Sequence, residues 1–427
     1  MRVSVISIGG DEVASMEAEP AWTLQDVRSR VSAAMGVPSP RLRILHGKTE
    51  LWLGTPLAAM GVNEGSSLSL VVSAPWSVIT SSRDSSAKVW SAESGECMRT
   101  LAGHDDHVVS AVFSPDGAQA LTFSRDFTAK IWDASSGRCL RTLEGPDSGS
   151  PGALSAVLSP DGTRVLTAGL DGTAKIWSVD RGECLLTLEH ESHVPLAIFS
   201  SDGARAMTGS ADGVVRIWST ISGECLLTLL DAGVAMSGMF SPDGTRVLVG
   251  HEFGTTTVWS VDSGECLVTL ESWGLAPAIF SPDGSRVLAA SYDGTADIWC
   301  LDSLERVSVL GRHDDEVESV AFSPDSVWAL TGSRDHTAKI WDVASGKCLL
   351  TLAGHTDAVQ SAVFSPDGSW VLTVSLDCTA KIWSTSSGDC LHTLAGHGDA
   401  VLSAAFSPSS KGCGQNSGEK RCLPAGR

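Results

Sequence analysis

The chain has 427 residues, of which 42% are hydrophobic and 19% charged. That is enough apolar material for a sizeable core, so wholesale disorder is excluded. The net charge of −20 and the isoelectric point near 4.8 argue against non-specific binding to nucleic acid or to an anionic membrane, because both surfaces are negative. No apolar run approaches the roughly 18 residues that a membrane span needs.

The first 73 residues are predicted to form a small mixed α+β domain. Met1–Ile8 and Val13–Glu19 alternate apolar and polar residues around a Gly-Gly-Asp turn, which predicts a hairpin. Thr23 and Asp26 form a partial capping box before apolar residues at helical spacing, which predicts a helix. Leu68–Val72 reads as a further strand.

This order of strands and helix resembles that of a ubiquitin-like (β-grasp) domain. The resemblance rests on Met1-Arg-Val, Glu19-Pro20, Gly36-Val-Pro38, Arg43-Ile44, Gly47-Lys48 and Leu68-Ser-Leu-Val-Val72. Conjugated members of that family end in Gly-Gly, whereas Val72 here continues into Ser73, so the resemblance implies a module that is not conjugated. It also implies that Ile44 and Val71 belong to an exposed apolar patch that docks ubiquitin receptors or the proteasome. The alternative is that this patch packs on the rest of the chain.

A repeated unit dominates the remainder of the sequence. Its signature tryptophans recur every 40–45 residues, at Trp90, Trp132, Trp177, Trp218, Trp259, Trp299, Trp341 and Trp383. Each unit contains four short β-rich runs separated by turn sequences such as Ser-Pro-Asp-Gly, which predicts four strands per unit. The fixed period, with Gly-His early and Trp-Asp late, resembles the WD40 repeat family over residues 76–410.

The two ends of the repeat region complement each other. The first unit supplies only second, third and fourth strands, beginning at Trp76, whereas Val401–Phe406 supplies only a first strand. We therefore expect a mainly β fold, an eight-bladed WD40 β-propeller whose C-terminal strand completes the first blade. A seven-bladed ring with a loose fragment is the alternative. Residues 411–427 abandon the pattern and are predicted to be a disordered tail.

Sets of Ser, His and Asp recur with the signature tryptophans. The WD40 resemblance implies that each set and its Trp form a buried hydrogen-bonded tetrad, and the predicted tetrads are His104, Ser124, Asp126, Trp132; His313, Ser333, Asp335, Trp341; His355, Ser375, Asp377, Trp383; and His397, Ser82, Asp84, Trp90. The same side chains compose a hydrolase triad. A catalytic set would not be copied four times, so we expect no catalytic residue. The units around Trp177, Trp259 and Trp299 lack one or more tetrad members and are predicted to be the softer side of the ring.

The residue before each tetrad Asp is expected to face the rim of the central channel. These positions hold Arg83, Arg125, Leu170, Ala211, Glu252, Tyr292, Arg334 and Leu376. We predict that Arg83, Arg125, Tyr292, Arg334 and Leu376 bind a partner, because arginine pairs with carboxylate or phosphate and a basic, apolar arc stands out on an acidic ring. The alternative is that the arginines are solvated and paired with Asp106 or Asp399.

Seven of the eleven cysteines occupy one repeat position on the predicted outer strand. Equivalent positions on separate blades are too far apart for a disulfide, so we expect reduced thiols and a cytoplasmic or nuclear location. There is no C-x-x-C motif, and His104 and His190 have tetrad roles, so neither a metal site nor a cofactor is expected.

From these features we predict a non-enzymatic interaction scaffold or adaptor. Its propeller binds a client peptide, acidic or phosphorylated, and its ubiquitin-like domain docks to ubiquitin–proteasome components. The alternative is a structural subunit of a multiprotein complex with no link to the ubiquitin pathway.

Overall fold

The computed structural model describes residues 2–7, 12–19, 22–35, 42–46, 49–50, 57–63, 65–72, 75–144, 153–230, 233–251, 255–271, 278–291 and 293–408. They fall into two compact units, one within the first 74 residues and the other spanning Pro75–Pro408. The predicted tail, residues 411–427, lies outside the described residues. None of the helices in the described ranges is long and apolar enough to cross a membrane.

The N-terminal unit contains one five-stranded sheet and one α-helix. Its elements are β1 (Arg2–Ser7), β2 (Glu12–Glu17), α1 (Leu24–Met35), β3 (Leu42–His46), β4 (Thr49–Glu50), a 3₁₀ turn (Leu57–Met60) and β5 (Ser67–Val72). The strand order is β2-β1-β5-β3-β4, with β1 and β5 parallel.

The start of α1 follows from the capping sequence. Asp26 accepts hydrogen bonds from the backbone N–H and the hydroxyl of Thr23, at 2.7 and 2.9 Å, which satisfies donors that the first helical turn leaves free. Val27 and Val31, one turn apart, are fully buried in the core of this unit. The helix therefore forms where the capping box and the apolar spacing predict it.

The expected exposure of Ile44 is wrong. Ile44 is fully buried, and it lies in the same core cluster as Leu42, Leu68 and Leu70. Side chains alternate between the two faces of a strand, so Leu42 and Ile44 share the core face of β3. An exposed docking patch on Ile44 is thereby ruled out. The side chain of Val71 and the whole of Lys48 lie outside what the structure describes.

The second unit is built from four-stranded antiparallel sheets, eight in the described residues, numbered here as sheets 1 to 8 in chain order. Sheet 1 contains Val401–Phe406, Ser77–Ser82, Ser86–Ser91 and Cys97–Ala102; sheet 2, Val108–Phe113, Gln119–Ser124, Thr128–Asp133 and Cys139–Glu144; sheet 3, Ala153–Leu158, Arg164–Gly169, Thr173–Ser178 and Cys184–Glu189; sheet 4, Leu196–Phe199, Arg205–Gly209, Val214–Ser219 and Cys225–Leu230.

The other four sheets repeat this arrangement. Sheet 5 contains Ala235–Phe240, Arg246–His251, Thr255–Ser260 and Cys266–Glu271; sheet 6, Ala278–Phe280, Arg286–Ala290, Ala296–Cys300 and Glu305–Leu310; sheet 7, Val317–Phe322, Trp328–Ser333, Thr337–Asp342 and Cys348–Ala353; sheet 8, Val359–Phe364, Trp370–Ser375, Thr379–Ser384 and Cys390–Ala395. The first strand of each sheet lies on the inner side, where it contacts neighbouring sheets, and the fourth forms the outer edge.

Turn chemistry fixes the strand lengths. In sheet 2, the Ser114 hydroxyl donates to Asp116 at 2.6 Å, and Gly117 adopts a φ of 73°, a conformation that glycine reaches without a steric penalty. The backbone N–H of Gly117 then closes the turn on the carbonyl of Ser114 at 2.8 Å. Because this turn recurs in most of the units, the strands repeat with nearly constant length.

Sheet 1 combines strands from the two ends of the repeat region. Val401–Phe406 runs antiparallel to Ser77–Ser82, with Val401 opposite Ser82 and Phe406 opposite Val78. The backbone N–H of Ser407 extends the pairing by donating to the carbonyl of Ser77 at 2.7 Å. The same closing strand, Val401–Phe406, contacts first strands of both sheet 8 and sheet 2, so the last sheet packs against the first.

An aromatic cluster covers this junction. The rings of Trp76 and Trp370 meet edge to face with centroids 5.5 Å apart, and Phe406 lies 6.0 Å from Trp76. Edge-to-face pairs of this kind add about 0.5–1.5 kcal/mol beyond the area they bury.

A different residue joins sheets 3 and 4. Arg164 donates from one guanidinium nitrogen to the Thr220 hydroxyl and from another to the carbonyl of Gly203, both at 2.9 Å. Its repeat position is the one that Trp370 occupies in sheet 8. Sheets 3 and 4 are thus joined by hydrogen bonds of an arginine, whereas sheets 8 and 1 are joined by aromatic contacts.

Removal of the closing strand tests how much the ring depends on it. Truncation before Val401 exposes the apolar surface that Val401 and Phe406 cover, worth about 1.5–3 kcal/mol for each side chain. We expect a clearly lower guanidinium midpoint than for truncation after Pro408, the control that keeps the strand. Equal midpoints for the two truncated chains would contradict this role.

Candidate functional site

A buried polar network connects the strands within sheet 2. His104 bonds through Nδ1 to Asp126 at 2.7 Å and through Nε2 to the Thr122 hydroxyl at 2.8 Å. The indole N–H of Trp132 donates to the same hydroxyl at 2.8 Å. One histidine thereby joins a carboxylate, a hydroxyl and a tryptophan, and each of these buried polar groups has a partner, as burial requires.

The same network recurs in sheets 7, 8 and 1. Its members there are His313, Thr331, Asp335, Trp341; His355, Thr373, Asp377, Trp383; and His397, Thr80, Asp84, Trp90. In sheet 1 the histidine follows the fourth strand of sheet 8, and its partners lie more than 300 positions earlier in the chain. The network therefore also connects the two ends of the repeat region.

The hydroxyl of the network belongs to threonine, which corrects the predicted role of the serines. Thr122 and Ser124 lie two positions apart on one strand, so they share a face, but Thr122 is the one that hydrogen-bonds to Trp132 and His104. Ser124 instead donates to the carbonyl of Asp106 at 2.8 Å. The matching serines Ser82, Ser333 and Ser375 likewise donate to backbone carbonyls.

This arrangement also bears on the hydrolase alternative. A nucleophilic serine needs a hydrogen bond to its general base. The bonds of the His104 ring go to Asp126, Thr122 and Thr128, and the Ser124 hydroxyl is engaged by backbone. The Ser, His and Asp sets are thus structural in form.

Glycine before the histidine has a steric reason. Gly103 adopts a φ of 152°, and a Cβ placed on it would meet the Trp132 ring at 3.3 Å. A larger residue would push the indole away from Thr122. The Gly-His pair therefore leaves room for the Trp132 ring, whose centroid lies 6.3 Å from that of His104 at an interplanar angle of 58°.

Sheets 3, 4 and 6 depart from this network within the described residues. In sheet 4, His190 bonds to Thr208 at 2.6 Å, but among the described residues its Nδ1 has no partner. In sheet 3, Trp177 bonds to Thr167, whereas the residue expected to replace its histidine, Pro146, lies outside the described residues. In sheet 6, Ala289 occupies the threonine position and offers no hydroxyl.

The corrected role of threonine makes a sharp test. Thr122→Val removes the hydroxyl to which both His104 Nε2 and Trp132 Nε1 are hydrogen-bonded. Each buried nitrogen left without a partner lowers the free energy of unfolding by about 1–3 kcal/mol. Ser124→Ala breaks only the bonds to backbone and is expected to cost less. Guanidinium denaturation followed by tryptophan fluorescence measures both. A larger loss for Ser124→Ala would contradict the assignment.

Burial keeps the network histidines neutral. Loss of hydration lowers the pKa of His104, His313, His355 and His397, and the paired aspartates only partly oppose this. Burial, together with the positive charge of Arg216, lowers the pKa of His190 to about 4. The folded chain therefore binds fewer protons at these sites than the unfolded chain does.

The sign of the pH dependence follows. A histidine whose folded pKa lies below the ordinary 6.5 contributes stability that is complete above pH 6.5 and is lost as the pH falls towards the folded pKa, about 4 for His190. We expect a lower melting temperature at about pH 5 than near pH 7, and a smaller difference in His190→Gln. A melting temperature that rises on acidification would contradict the lowered pKa values of these histidines.

Five of the predicted rim positions make the same backbone hydrogen bond. The backbone N–H of Arg83 donates to the carbonyl of Ala400, just before the innermost strand of its sheet, at 2.9 Å. The same bond ties Arg125 to His107, Ala211 to His193, Arg334 to Glu316 and Leu376 to Ala358. Each residue thus lies beside the start of an innermost strand. Tyr292 and Glu252 lie outside the described residues.

The three rim arginines differ in their electrostatic surroundings. Arg334 pairs with Glu316 at 2.7 Å and also with Glu318, so two carboxylates already neutralise it. Arg83 and Arg125 are exposed, and neither forms an ion pair within the described ranges; the alternative pairing with Asp106 or Asp399 is not seen there. Of these three arginines, Arg83 and Arg125 are the two without an ion pair in the part of the chain that the structure describes.

Backbone strain marks the same part of the rim. Ser85, Phe127, His336 and Cys378, two positions after the rim residue, all have φ between 62° and 68°. Such a conformation costs an L-residue about 1–2 kcal/mol. The equivalent residues of sheets 3, 4 and 6 are Gly172, Gly213 and Gly294. The sheets with complete networks are the ones that hold side chains in this position.

The described cysteines are all free thiols, and those at the repeated outer-strand position, Cys97, Cys139, Cys184, Cys225, Cys266, Cys348 and Cys390, are exposed. Within the described ranges, no group of three or more His, Cys, Asp or Glu side chains is placed to hold a metal ion.

Comparison with known proteins identifies the class. The family of the WD domain, G-beta repeat, matches residues 95–133, 137–178, 182–219, 245–300, 304–342, 346–384 and 388–413. These segments make up more than half of the sequence, so the chain belongs to the WD40 repeat family. Among solved structures, the computationally designed Ika8 protein aligns with a TM-score of 0.64 and 26% identity, over 72% of this chain and 93% of that one.

Curated relatives match only short segments. Nuclear distribution protein PAC1 of Cryptococcus neoformans is 53% identical over 38 residues, which is 9% of this chain and 9% of that protein. The protein of the same name from Mycosarcoma maydis is 46% identical over 44 residues, or 10% of each. The chain thus spans about a tenth of the length of these relatives, roughly one repeat unit.

Proposed function

We propose that the second unit is a closed eight-bladed propeller and that the first unit has the ubiquitin-like fold. The eight described sheets and the pairing of Val401–Phe406 with Ser77–Ser82 support the blade count. The five-stranded sheet, with parallel β1 and β5 at its centre and one helix between β2 and β3, supports the ubiquitin-like fold.

We propose that the protein is a non-enzymatic scaffold that presents a peptide-binding rim. WD40 repeats generally serve protein interaction, and the four predicted Ser, His and Asp sets have structural hydrogen bonds. A cytoplasmic or nuclear location belongs to the same proposal, because a ring of exposed free thiols suits a reducing compartment.

The observation that carries this proposal is the pair of uncompensated arginines on adjacent sheets. Arg83 and Arg125 are exposed beside the innermost strands of sheets 1 and 2, on a chain with a net charge of −20. Phe127, two positions after Arg125 in the chain, has a positive φ and is half-buried. This combination suits an acidic or phosphorylated peptide, because guanidinium groups bind carboxylate and phosphate in a bidentate manner.

The second candidate function is a structural subunit of a multiprotein complex. It is favoured by the buried Ile44, which removes the surface on which a link to ubiquitin receptors or the proteasome was expected. In this case the N-terminal unit has a structural role, and the rim need not bind a peptide.

Fluorescence anisotropy with a labelled phosphoserine peptide of acidic sequence tests the proposal, with the unphosphorylated peptide alongside. Arg83→Glu and Arg125→Glu are each expected to weaken binding roughly 10- to 100-fold, since a hydrogen bond to a charged group is worth about 1.5–3 kcal/mol. Arg138→Glu, the same charge change at an exposed turn between the outer two strands of sheet 2, is the control. Equal binding by all variants would remove the rim from the proposal.

A further inference from the structure

The outer edge of sheet 4 is unlike the other outer edges. Ile221 and Leu230 are 84% and 77% exposed, the highest values among the exposed large hydrophobic residues of the described ranges. At the position of Ile221, sheets 2 and 3 have Ser135 and Asp180; at that of Leu230, they have Glu144 and Glu189. Large apolar side chains therefore stand at both ends of this edge, where sheets 2 and 3 have polar residues and sheet 7 has only Ala344 and Ala353.

The fourth strand of sheet 4 has no strand on its outer side within the described ranges. Its sequence, Cys-Leu-Leu-Thr-Leu-Leu over residues 225–230, contains no charged residue. Charged side chains normally keep an exposed edge from pairing with another strand, and the matching strands of sheets 1, 2 and 3 carry such charges at Arg99, Arg141 and Glu189. The matching strand of sheet 7, Cys348–Ala353, also has none, but it ends in alanine where sheet 4 has Leu230. The edge of sheet 4 lacks this protection.

Residues 226–230 also read the same in both directions, Leu-Leu-Thr-Leu-Leu. Leu226, Thr228 and Leu230 point to the exposed face, whereas Leu229 is buried against the ring. If two copies of this strand pair antiparallel about a two-fold axis through Thr228, each Leu226 lies opposite the Leu230 of the other copy. The two threonines then lie opposite each other, a favourable cross-strand pair.

We propose that this edge is a self-association surface, on which a second copy of the chain pairs its own residues 225–230 across a two-fold axis. Such an isologous contact uses one patch twice and closes on itself, so it forms a dimer and not a filament. Ile221 precedes the strand, so one isoleucine lies beyond each end of the paired strands and enlarges the apolar contact.

The palindrome selects a second copy over an unrelated strand. In sheet 3 the same register would place Leu185 opposite Glu189, and in sheet 2 Leu140 opposite Glu144, both unfavourable. Repulsion between two chains of charge −20 opposes association, but salt screens charges farther apart than about 8 Å at physiological ionic strength. The dimer should therefore strengthen as salt is raised.

Cysteine trapping tests the register. Directly opposed residues in an antiparallel pair have Cα atoms about 4.5–5.5 Å apart, within the span of a disulfide. Thr228→Cys should give a disulfide-linked dimer under mild oxidation, and the matched control Thr187→Cys, at the same exposed position of sheet 3, should not. The Cys225 sulfur lies 3.5 Å from the Thr228 hydroxyl of its own chain, and Cys184 lies 3.8 Å from Thr187, so each variant is made with that neighbouring cysteine changed to alanine. Equal cross-linking by both variants, or by neither, overturns the proposal.

Light scattering tests association without new thiols. The wild-type chain should show about twice its 44.5 kDa at high concentration and revert to a monomer on dilution. Leu230→Glu, which places here the residue that sheet 3 carries naturally, should remain monomeric with an unchanged melting temperature. Ala395→Glu, the same change at the edge of sheet 8, should still dimerise. A monomeric wild type, or a dimeric Leu230→Glu, overturns the proposal.

Discussion

The whole of the second unit, Pro75–Pro408, depends on one pairing between strands from distant parts of the chain. Seven of the eight described sheets form from four consecutive strands, whereas sheet 1 joins Val401–Phe406 to strands that begin at Ser77. Ser77 and Ser407 are 330 positions apart, so closing this loop costs about 5 kcal/mol of chain entropy. The hydrogen-bonded ladder, the Asp84–His397 network and the aromatic cluster at Trp76 offset that cost together.

The ring has two unequal halves, and the candidate peptide site lies on the better-connected one. Sheets 7, 8, 1 and 2 are consecutive through the closure, and each has a complete network of His, Asp, Thr and Trp. The same four sheets hold non-glycine residues at positive φ beside the rim. Strain persists only where the surroundings fix the backbone firmly. The complete networks supply that rigidity, and Arg83 and Arg125 belong to two of the sheets that have them.

Much of this architecture could be predicted from local signals. The period of the tryptophans and the Ser-Pro-Asp-Gly turns predict strands and their order, because turn chemistry acts over four residues. The WD40 resemblance assigns the network hydroxyl to Ser124, whereas the structure gives it to Thr122; both are hydroxyls on one face of the strand, and only the folded sheet shows which of them reaches Trp132. The predicted exposure of Ile44 was wrong for a related reason. Which face of its short strand points into the core is decided by the tertiary packing and not by the local sequence. The ion pairs of Arg334 and the positive φ of Phe127 depend on packing and left no signal in composition.

The closure of sheet 1 also has a consequence for synthesis on the ribosome. Ser77–Ser82 leaves the ribosome early, but its inner neighbour is Val401–Phe406, more than 300 residues later. At about 5–20 residues per second, the wait lasts from roughly a quarter of a minute to a minute. Throughout that interval the nascent chain carries a three-stranded sheet with an open inner edge, the state in which a protein most needs a chaperone.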